Sequence, residues 1–228
     1  MRNELLSGIK GAVPVVMGYI PIGLAFGVLA VQQGLSVWEI FCMSLFVYAG
    51  SAQFIAASMI SSGATAASII TTTFLVNLRH LLMSASLSPY LKHISSFMQS
   101  LISFGITDET YAVGITEART NTRSARYFLA LHITSQVSWI LSTVLGGVLG
   151  NMIPDPSRLG IDFALSAMFI GLLFMQMKDK KDVLVSICAG VISILIALNM
   201  NGSWNIIIAT ILAATMGVII EQWTAKSS

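Results

Sequence analysis

Apolar residues fall into eight long runs, at about residues 11–31, 37–60, 64–88, 97–115, 127–150, 160–177, 183–199 and 204–222. Each approaches the roughly 20 residues that a helix needs to cross a bilayer. The separators are turn-like: Gln32-Gln33-Gly34, Ser61-Ser62-Gly63, Asn151 to Gly160 with Pro154 and Pro156, and Asn199 to Ser203. The pattern predicts an all-α fold, a polytopic transmembrane helical bundle of about eight spans filling residues 1–228 as one transporter-like domain. The fourth run is the weakest because it contains Asp108 and Glu109. If it does not cross, the count falls to seven.

Composition agrees: 55% of the 228 residues are hydrophobic and 10% are charged, against about 25% charged in soluble domains. A net charge of +2 gives no reason to expect nucleic acid as a partner; the bilayer is the partner the composition requires. With eight crossings and the N-terminus inside, the cytoplasmic side collects Arg2, Lys10, Arg119, Arg123, Arg126, Lys178, Lys180, Lys181 and Lys226. Lys92 and Arg158 fall outside. Basic residues favour the cytoplasmic side, so the expected topology has both termini cytoplasmic. Cys42 and Cys188 sit singly in apolar runs without metal-ligand spacing and read as packing residues. No cofactor or metal is expected.

Ionisable groups at bilayer depth cost from about 2.5 to more than 10 kcal/mol and need a partner or a watery cavity. Asn77, Arg79 and His80 lie near the middle of the third run, Asp108 and Glu109 at comparable depth in the fourth, and Asp162 near the outer end of the sixth. Arg79 can pair with one of the adjacent acids, which leaves a carboxyl over. Such a group either protonates or meets a cation, as a proton-coupling or ammonium-binding site requires. Arg79, His80, Asp108, Glu109 and Asp162 are therefore the candidate ion-coupling residues.

The first run crowds Pro14, Gly18, Tyr19, Pro21 and Gly23 into one crossing. Proline removes N–H donors and glycine loosens φ, so the Pro14–Pro21 stretch predicts an unwound segment lining a cavity. Gly23 and Gly27 fit helix–helix packing through small residues equally well. In the fourth run, Gly105 followed by Thr107-Asp108-Glu109 predicts a helix restarting in mid-membrane with Thr107 as its N-cap. Broken helices are thus expected in spans one and four. Tyr48, Gly50, Ser51 and Gln53 place polar groups in the middle of the second run, as binding residues or as interhelical hydrogen-bonding glue.

The segments GAVPVVMGYIPIGLAFGVLA (11–30), VYAGSAQF (47–54), NLRHLLMSASLSPY (77–90), TDETYAV (107–113) and GIDFALSAMFIGLL (160–173), in this order, resemble the AzlC family of branched-chain amino-acid exporters. The resemblance implies the large subunit of a bacterial inner-membrane exporter of valine, leucine, isoleucine or methionine, working with a small AzlD-type membrane subunit. Together with the residue reading it suggests a proton-coupled secondary transporter. There the substrate carboxylate meets the unwound first span between Pro14 and Gly23, its ammonium meets Asp108 or Glu109, and Tyr19, Tyr48 and Phe54 wall its apolar side chain. The substrate-binding set is then Pro14, Gly18, Tyr19, Pro21, Gly23, Tyr48, Gly50, Ser51, Gln53 and Asn77. A channel-like facilitator is the alternative; an intramembrane serine hydrolase would need Ser51 at a helix start beside a histidine.

Overall fold

The computed structural model describes residues 2–153 and 179–199 continuously, and residues 160, 163, 166–167, 170–171, 173–174, 177, 212–213 and 215–217 besides. Its long elements are all helices: α1 (Arg2–Gln32), α2 (Val37–Phe46), α3 (Gly50–Ser61), α4 (Ala66–Leu87), α5 (Ser96–Phe104), α6 (Asp108–Thr120), α7 (Ala125–Gly150) and α8 (Lys180–Asn199). A 3₁₀ turn, Ser88–Leu91, extends α4. The chain divides into two compact units, Met1–Phe169 and Ile170–Ser228. In the second, α8 coincides with the run expected at 183–199. The runs expected at 160–177 and 204–222 lie largely outside the described residues. Among the described residues, three helices are long and apolar enough to cross a membrane: α1, α4 with its extension, and α7.

Helix α1 is continuous through Pro14 and Pro21, which corrects the expectation of an unwound first span. The two prolines, with Gly18, lie on the exposed face of the helix. There the carbonyls of Lys10 and Met17 lose their helical N–H partners without the chain leaving the helix. The opposite face, with Ala12, Val15, Tyr19, Gly23, Phe26, Gly27 and Ala30, is buried. It lies along α7 in parallel: Gly8 meets Tyr127 and Leu131, Gly23 meets Ser142, and Gly27 meets Thr143 and Gly147. Small residues on both sides let the backbones touch, since a Cβ on Gly150 would stand 2.9 Å from Val28 Cα. This is the small-residue packing that associates helices in lipid, where burial of apolar surface gives no drive.

The second run does not cross as one helix. Ser36 caps α2 by a capping box: Ser36 N–H donates to Glu39 Oε2 at 2.7 Å and Glu39 N–H to Ser36 Oγ at 3.3 Å. The helix then descends antiparallel to α7, from Ile40 beside Gly147, through Ser44 hydrogen-bonded to Thr143 at 2.8 Å, to Leu45, whose carbonyl accepts from Gln136 at 3.0 Å. At Val47-Tyr48-Ala49 the chain turns back. Tyr48 has φ +44°, a left-handed conformation that is rare for a bulky side chain. Helix α3 then climbs parallel to α1, since Tyr48 lies by Tyr19 and Phe54 by Phe26. Gln53 Nε2 donates to Ser44 Oγ at 3.1 Å. Nine residues of straight helix would separate these two by about 13.5 Å of rise, so α2 and α3 form a re-entrant hairpin. Gly34 (φ +94°) and Gly63 (φ +72°) end α1 and α3 alike, with Leu35 N–H reaching Ala30 O and Ala64 N–H reaching Met59 O, both at 3.0 Å.

A second hairpin enters from the other end. Helix α4 runs down past Ser51 at Arg79 and past Tyr111 at Ser86 to Leu87 and Leu91, which pack with Ala12, Tyr127 and Leu131. Helix α5 returns upward to Gly105, which lies against His132. Thr107 caps α6 with Thr110, and α6 descends past Gly11 at Val113 and Phe128 at Gly114. The fourth run, like the second, therefore ends at mid-depth and returns, while the predicted restart at Thr107 is where α6 begins.

The turns at one end are tied together. Arg123 pairs with Glu4 at 2.8 Å and Glu117 at 2.7 Å, and His93 Nε2 donates to Arg123 O at 2.8 Å. Six of the seven Lys and Arg residues in 1–153, namely Arg2, Lys10, Lys92, Arg119, Arg123 and Arg126, belong to this end. Lys92 thus joins the basic side, contrary to the eight-crossing topology, because two of the intervening runs are hairpins. The seventh is Arg79.

Two outcomes are expected. With Cys42 and Cys188 replaced, single cysteines at Gln33 and Ser62 will react with an impermeant thiol reagent from one side of the membrane, and those at Lys92 and Asn121 from the other. Labelling of Gln33 and Ser62 from opposite sides would mean a crossing. Gly27→Val will clash with the α7 backbone and lower stability in detergent by about 1–3 kcal/mol, the usual range for overpacking, read from the thermal unfolding midpoint.

Candidate functional site

The tips of the two hairpins, at 47–49 and 105–107, meet beside α1 and α4. Tyr19, buried at mid-length on α1, donates from its hydroxyl to Glu109 Oε2 at 3.1 Å and shares a 2.6 Å hydrogen bond with Thr107 Oγ1. Its ring stands edge-on to Tyr48 (6.4 Å between centroids) and to Trp139 (5.1 Å). On the other side of the tips, Arg79 of α4 donates from Nη1 to Asp108 Oδ2 at 2.9 Å and from Nη2 to Ser51 Oγ. One guanidinium therefore joins the first turn of α3 to the first turn of α6. The contacts close into a ring, because Tyr48 and Ser51 share one tip while Asp108 and Glu109 share the other.

The surplus carboxyl expected from the sequence is Glu109. Asp108 takes the arginine, and no ion pair is made by Glu109 among the described residues. Glu109 is only partly buried, as are Asn77, Arg79, His80 and Asp108. Among the described residues, three buried polar atoms around the tips have no hydrogen-bond partner: the Tyr48 hydroxyl, Arg79 Nε and Asn77 Oδ1. The two tips also differ in capping. Thr107 and Thr110 satisfy the start of α6, with Thr107 N–H donating to Thr110 Oγ1 at 2.8 Å. Ala49 offers α3 no side-chain cap, so the N–H groups of its first turn have no acceptor of their own.

Of the expected binding residues, Tyr19, Tyr48, Gly50 and Ser51 belong to this ring, and Asn77 lies half a helical turn from Arg79. Pro14, Gly18 and Pro21 do not, since α1 is unbroken and turns them outward. Gly23 packs against Ser142 and is a contact residue of the α1–α7 seam. Gln53 is fully buried, donating to Ser44 and accepting from Trp139 Nε1 at 2.9 Å, so it is glue between α2, α3 and α7. Phe54 packs on Phe26 at 5.1 Å between ring centroids and belongs to the α1–α3 contact. Asp162 lies outside the described residues. The sequence reading missed Trp139, Thr143 and His132. Trp139 carried a signal, because a buried indole N–H needs an acceptor and Gln53 was available in another run. His132 is 3% exposed, and a Cβ on Gly105 would come within 2.6 Å of its Cγ. It backs the α5–α6 tip.

Ser51 stands at a helix start, as an intramembrane serine hydrolase would require, but its hydroxyl accepts from an arginine, which cannot serve as its base. No group of three or more His, Cys, Asp and Glu placed to hold a metal occurs among the described residues.

The profile of the AzlC protein family matches residues 14–153. The chain is 29% identical to the inner membrane protein YgaZ of Escherichia coli, over 79% of this chain and 76% of that protein. It is 30% identical to a membrane protein of Archaeoglobus fulgidus, over 96% and 94%. To the branched-chain amino acid transport protein AzlC of Bacillus subtilis it is 26% identical, over 79% and 72%. No solved structure matches.

Removing one member of a buried hydrogen-bonded set leaves its partners unsatisfied at about 1–3 kcal/mol. Gln53→Leu is expected to destabilise by that amount in detergent unfolding, by stranding the Trp139 N–H. Adding Trp139→Phe will recover part of the loss; strict additivity of the two would show that the bond contributes nothing.

Proposed function

This chain belongs to the AzlC family, and from that premise we propose that it is a secondary transporter that exports branched-chain and related apolar amino acids, valine, leucine, isoleucine or methionine, across a bacterial inner membrane. The observation that carries the reading is the meeting of two re-entrant hairpin tips around Arg79, Asp108 and Glu109. Irregular backbone and ionised groups at bilayer depth are maintained where they serve a substrate or ion. Transporters of several folds place substrates at such interrupted helices near the midplane. The name of the Bacillus subtilis relative supports the substrate class.

The carboxylate of Glu109, held by Tyr19 and Thr107 and facing no cation among the described residues, is the coupling group in this proposal. A proton arriving from outside neutralises it and releases the substrate's ammonium; loss of the proton inside restores it. Arg79 and Asp108 hold the tips together, and His80 beside them shares their field. The basic end of the bundle faces the cytoplasm, with the N-terminus on that side, as the distribution of Lys and Arg favours. A small AzlD-type membrane subunit is the proposed partner, covering apolar helix surface.

A channel-like facilitator has the same architecture without a titrating group. The two separate in cells preloaded with valine-containing dipeptide. Efflux is expected to stop when the proton gradient is collapsed, and Glu109→Gln is expected to lower it at least tenfold and remove its dependence on external pH. Arg79→Gln, which strands Asp108, is expected to abolish it. Efflux of Glu109→Gln that keeps its rate and pH dependence would sink the coupling scheme, and efflux that survives gradient collapse would favour the facilitator.

A further inference from the structure

The two hairpin tips are built from equivalent pieces and end in unlike chemistry. At the α3 tip the unsatisfied groups can all donate, and the unpartnered acceptor nearby among the described residues, Asn77 Oδ1, belongs to α4. The N–H groups of Gly50, Ser51 and Ala52 start a helix that no side chain caps, and helix N-termini attract anions. Arg79 Nε is buried without an acceptor although both terminal nitrogens of that guanidinium are engaged. The Tyr48 hydroxyl, on a side chain 2% exposed, is unpartnered as well. It faces the Tyr19 hydroxyl beyond good hydrogen-bond geometry and lies in the field of Glu109, on the side of the opposite tip. At the α6 tip the excess is acceptor: the first turn is capped, Asp108 is neutralised, and Glu109 has hydroxyl donors but no cation among the described residues.

We propose that these are the two poles of a site for an α-amino-acid zwitterion, with the carboxylate taken by the α3 N-terminus, Arg79 Nε and the Tyr48 hydroxyl, and the ammonium by Glu109. This rests on the transporter reading above and specifies which atoms recognise the substrate's head. The carboxylate pole lies on the α2–α3 hairpin, not on the first helix, because α1 is helical throughout and has no free N–H to offer at Pro14–Gly23. Asp108 is excluded from the ammonium pole by its arginine. Both charged groups of the ligand are required at once, so acids and amines carrying the same branched side chain are poor ligands.

The test is competition against labelled valine on the purified full chain in lipid nanodiscs, with valinamide (no carboxylate) and isovalerate (no ammonium) as probes. Wild-type protein is expected to bind each probe at least tenfold more weakly than valine. Glu109→Gln is expected to weaken valine at least tenfold while leaving isovalerate within twofold. Gly50→Pro removes one donor at a first helical position that proline tolerates, and Tyr48→Phe removes only a hydroxyl. Both are expected to weaken valine and leave valinamide within twofold, and the tyrosine variant keeps the test alive if the proline variant does not fold. Glu109→Gln weakening valine and isovalerate alike, or Tyr48→Phe weakening valine and valinamide alike, would overturn the assignment of poles while leaving the transporter standing. Folded wild-type protein that neither binds nor moves valine would overturn the transporter reading itself.

Discussion

A guanidinium carried to mid-depth in a bilayer must find its counter-charge and its acceptors within the protein, and Arg79 finds both because two hairpins reach the same point from opposite ends. Ser51 comes from one tip and Asp108 from the other. Neither tip is stable alone in lipid, since each is a stretch of non-helical backbone whose polar groups need cover. The arginine makes each tip part of the other's solvation. That dependence also explains the half-buried state of the pair, with side chains 29% and 17% exposed. The ion pair lies at the edge of a region that must open to something polar, where a fully enclosed pair would gain no more stability and admit no ligand.

Rigid and movable parts of the first unit are held by different forces. Between α1 and α7 the contact is largely backbone on backbone, through Gly8 and Gly27 on one helix and Gly146 and Gly150 on the other, with Gly23 seated on the Ser142 side chain. Such a seam has no slack, because its small residues leave no side chain to re-pack. The α2–α3 hairpin is attached to that frame by discrete hydrogen bonds, Ser44 to Thr143, Gln136 to Leu45 and Gln53 to Trp139. The α5–α6 tip is hydrogen-bonded to α1 through Tyr19 among the described residues. Hydrogen bonds can be exchanged for others at small net cost, whereas a close-packed seam cannot be parted cheaply. Motion that opens the site is therefore expected in the hairpins, with α1 and α7 moving as one piece.

What the sequence made legible follows from which physics is local. Element existence was readable from apolar runs, and the Thr107 restart was readable because an N-cap is a local event of four residues. The pairing of Arg79 with one acid and the surplus of the other followed from counting charges. Re-entrance was hidden, because a 24-residue apolar run has the same composition whether it crosses or folds back as helices of ten and twelve residues. The turn rests on Tyr48 at positive φ, a conformation that no residue preference announces and that packing against Tyr19 imposes. Proline misled in the opposite direction. Pro14 and Pro21 promised a broken helix, yet both project from the outer face of α1, seven residues apart and hence on nearly the same side, where losing a donor does not disturb the seam with α7. The basic residues held a clue to re-entrance: with two crossings removed, Lys92 rejoins the other cations.

Chain direction adds a further constraint. From the basic end, α1 rises, α2 descends and α3 rises again; α4 then descends, α5 rises and α6 descends. The second triplet repeats the first with its direction inverted, the relation on which many transporters build alternating access. Inversion brings two helix N-termini, α3 and α6, to the same depth, and two positive dipole ends at one point repel unless something negative lies between them. On α6 the protein supplies the compensation itself, with Asp108 and Glu109 in the first turn. On α3 it supplies none, since Ala49 caps with nothing and the adjacent charge is the cation Arg79. A backbone arrangement that is nearly even-handed is thus made dipolar by three charged side chains, Asp108, Glu109 and Arg79, and the field it leaves at the meeting point runs from the α3 tip toward Glu109. Any ligand that lowers the energy of this point must carry a negative group toward α3 and a positive one toward α6. A symmetric ion cannot do both.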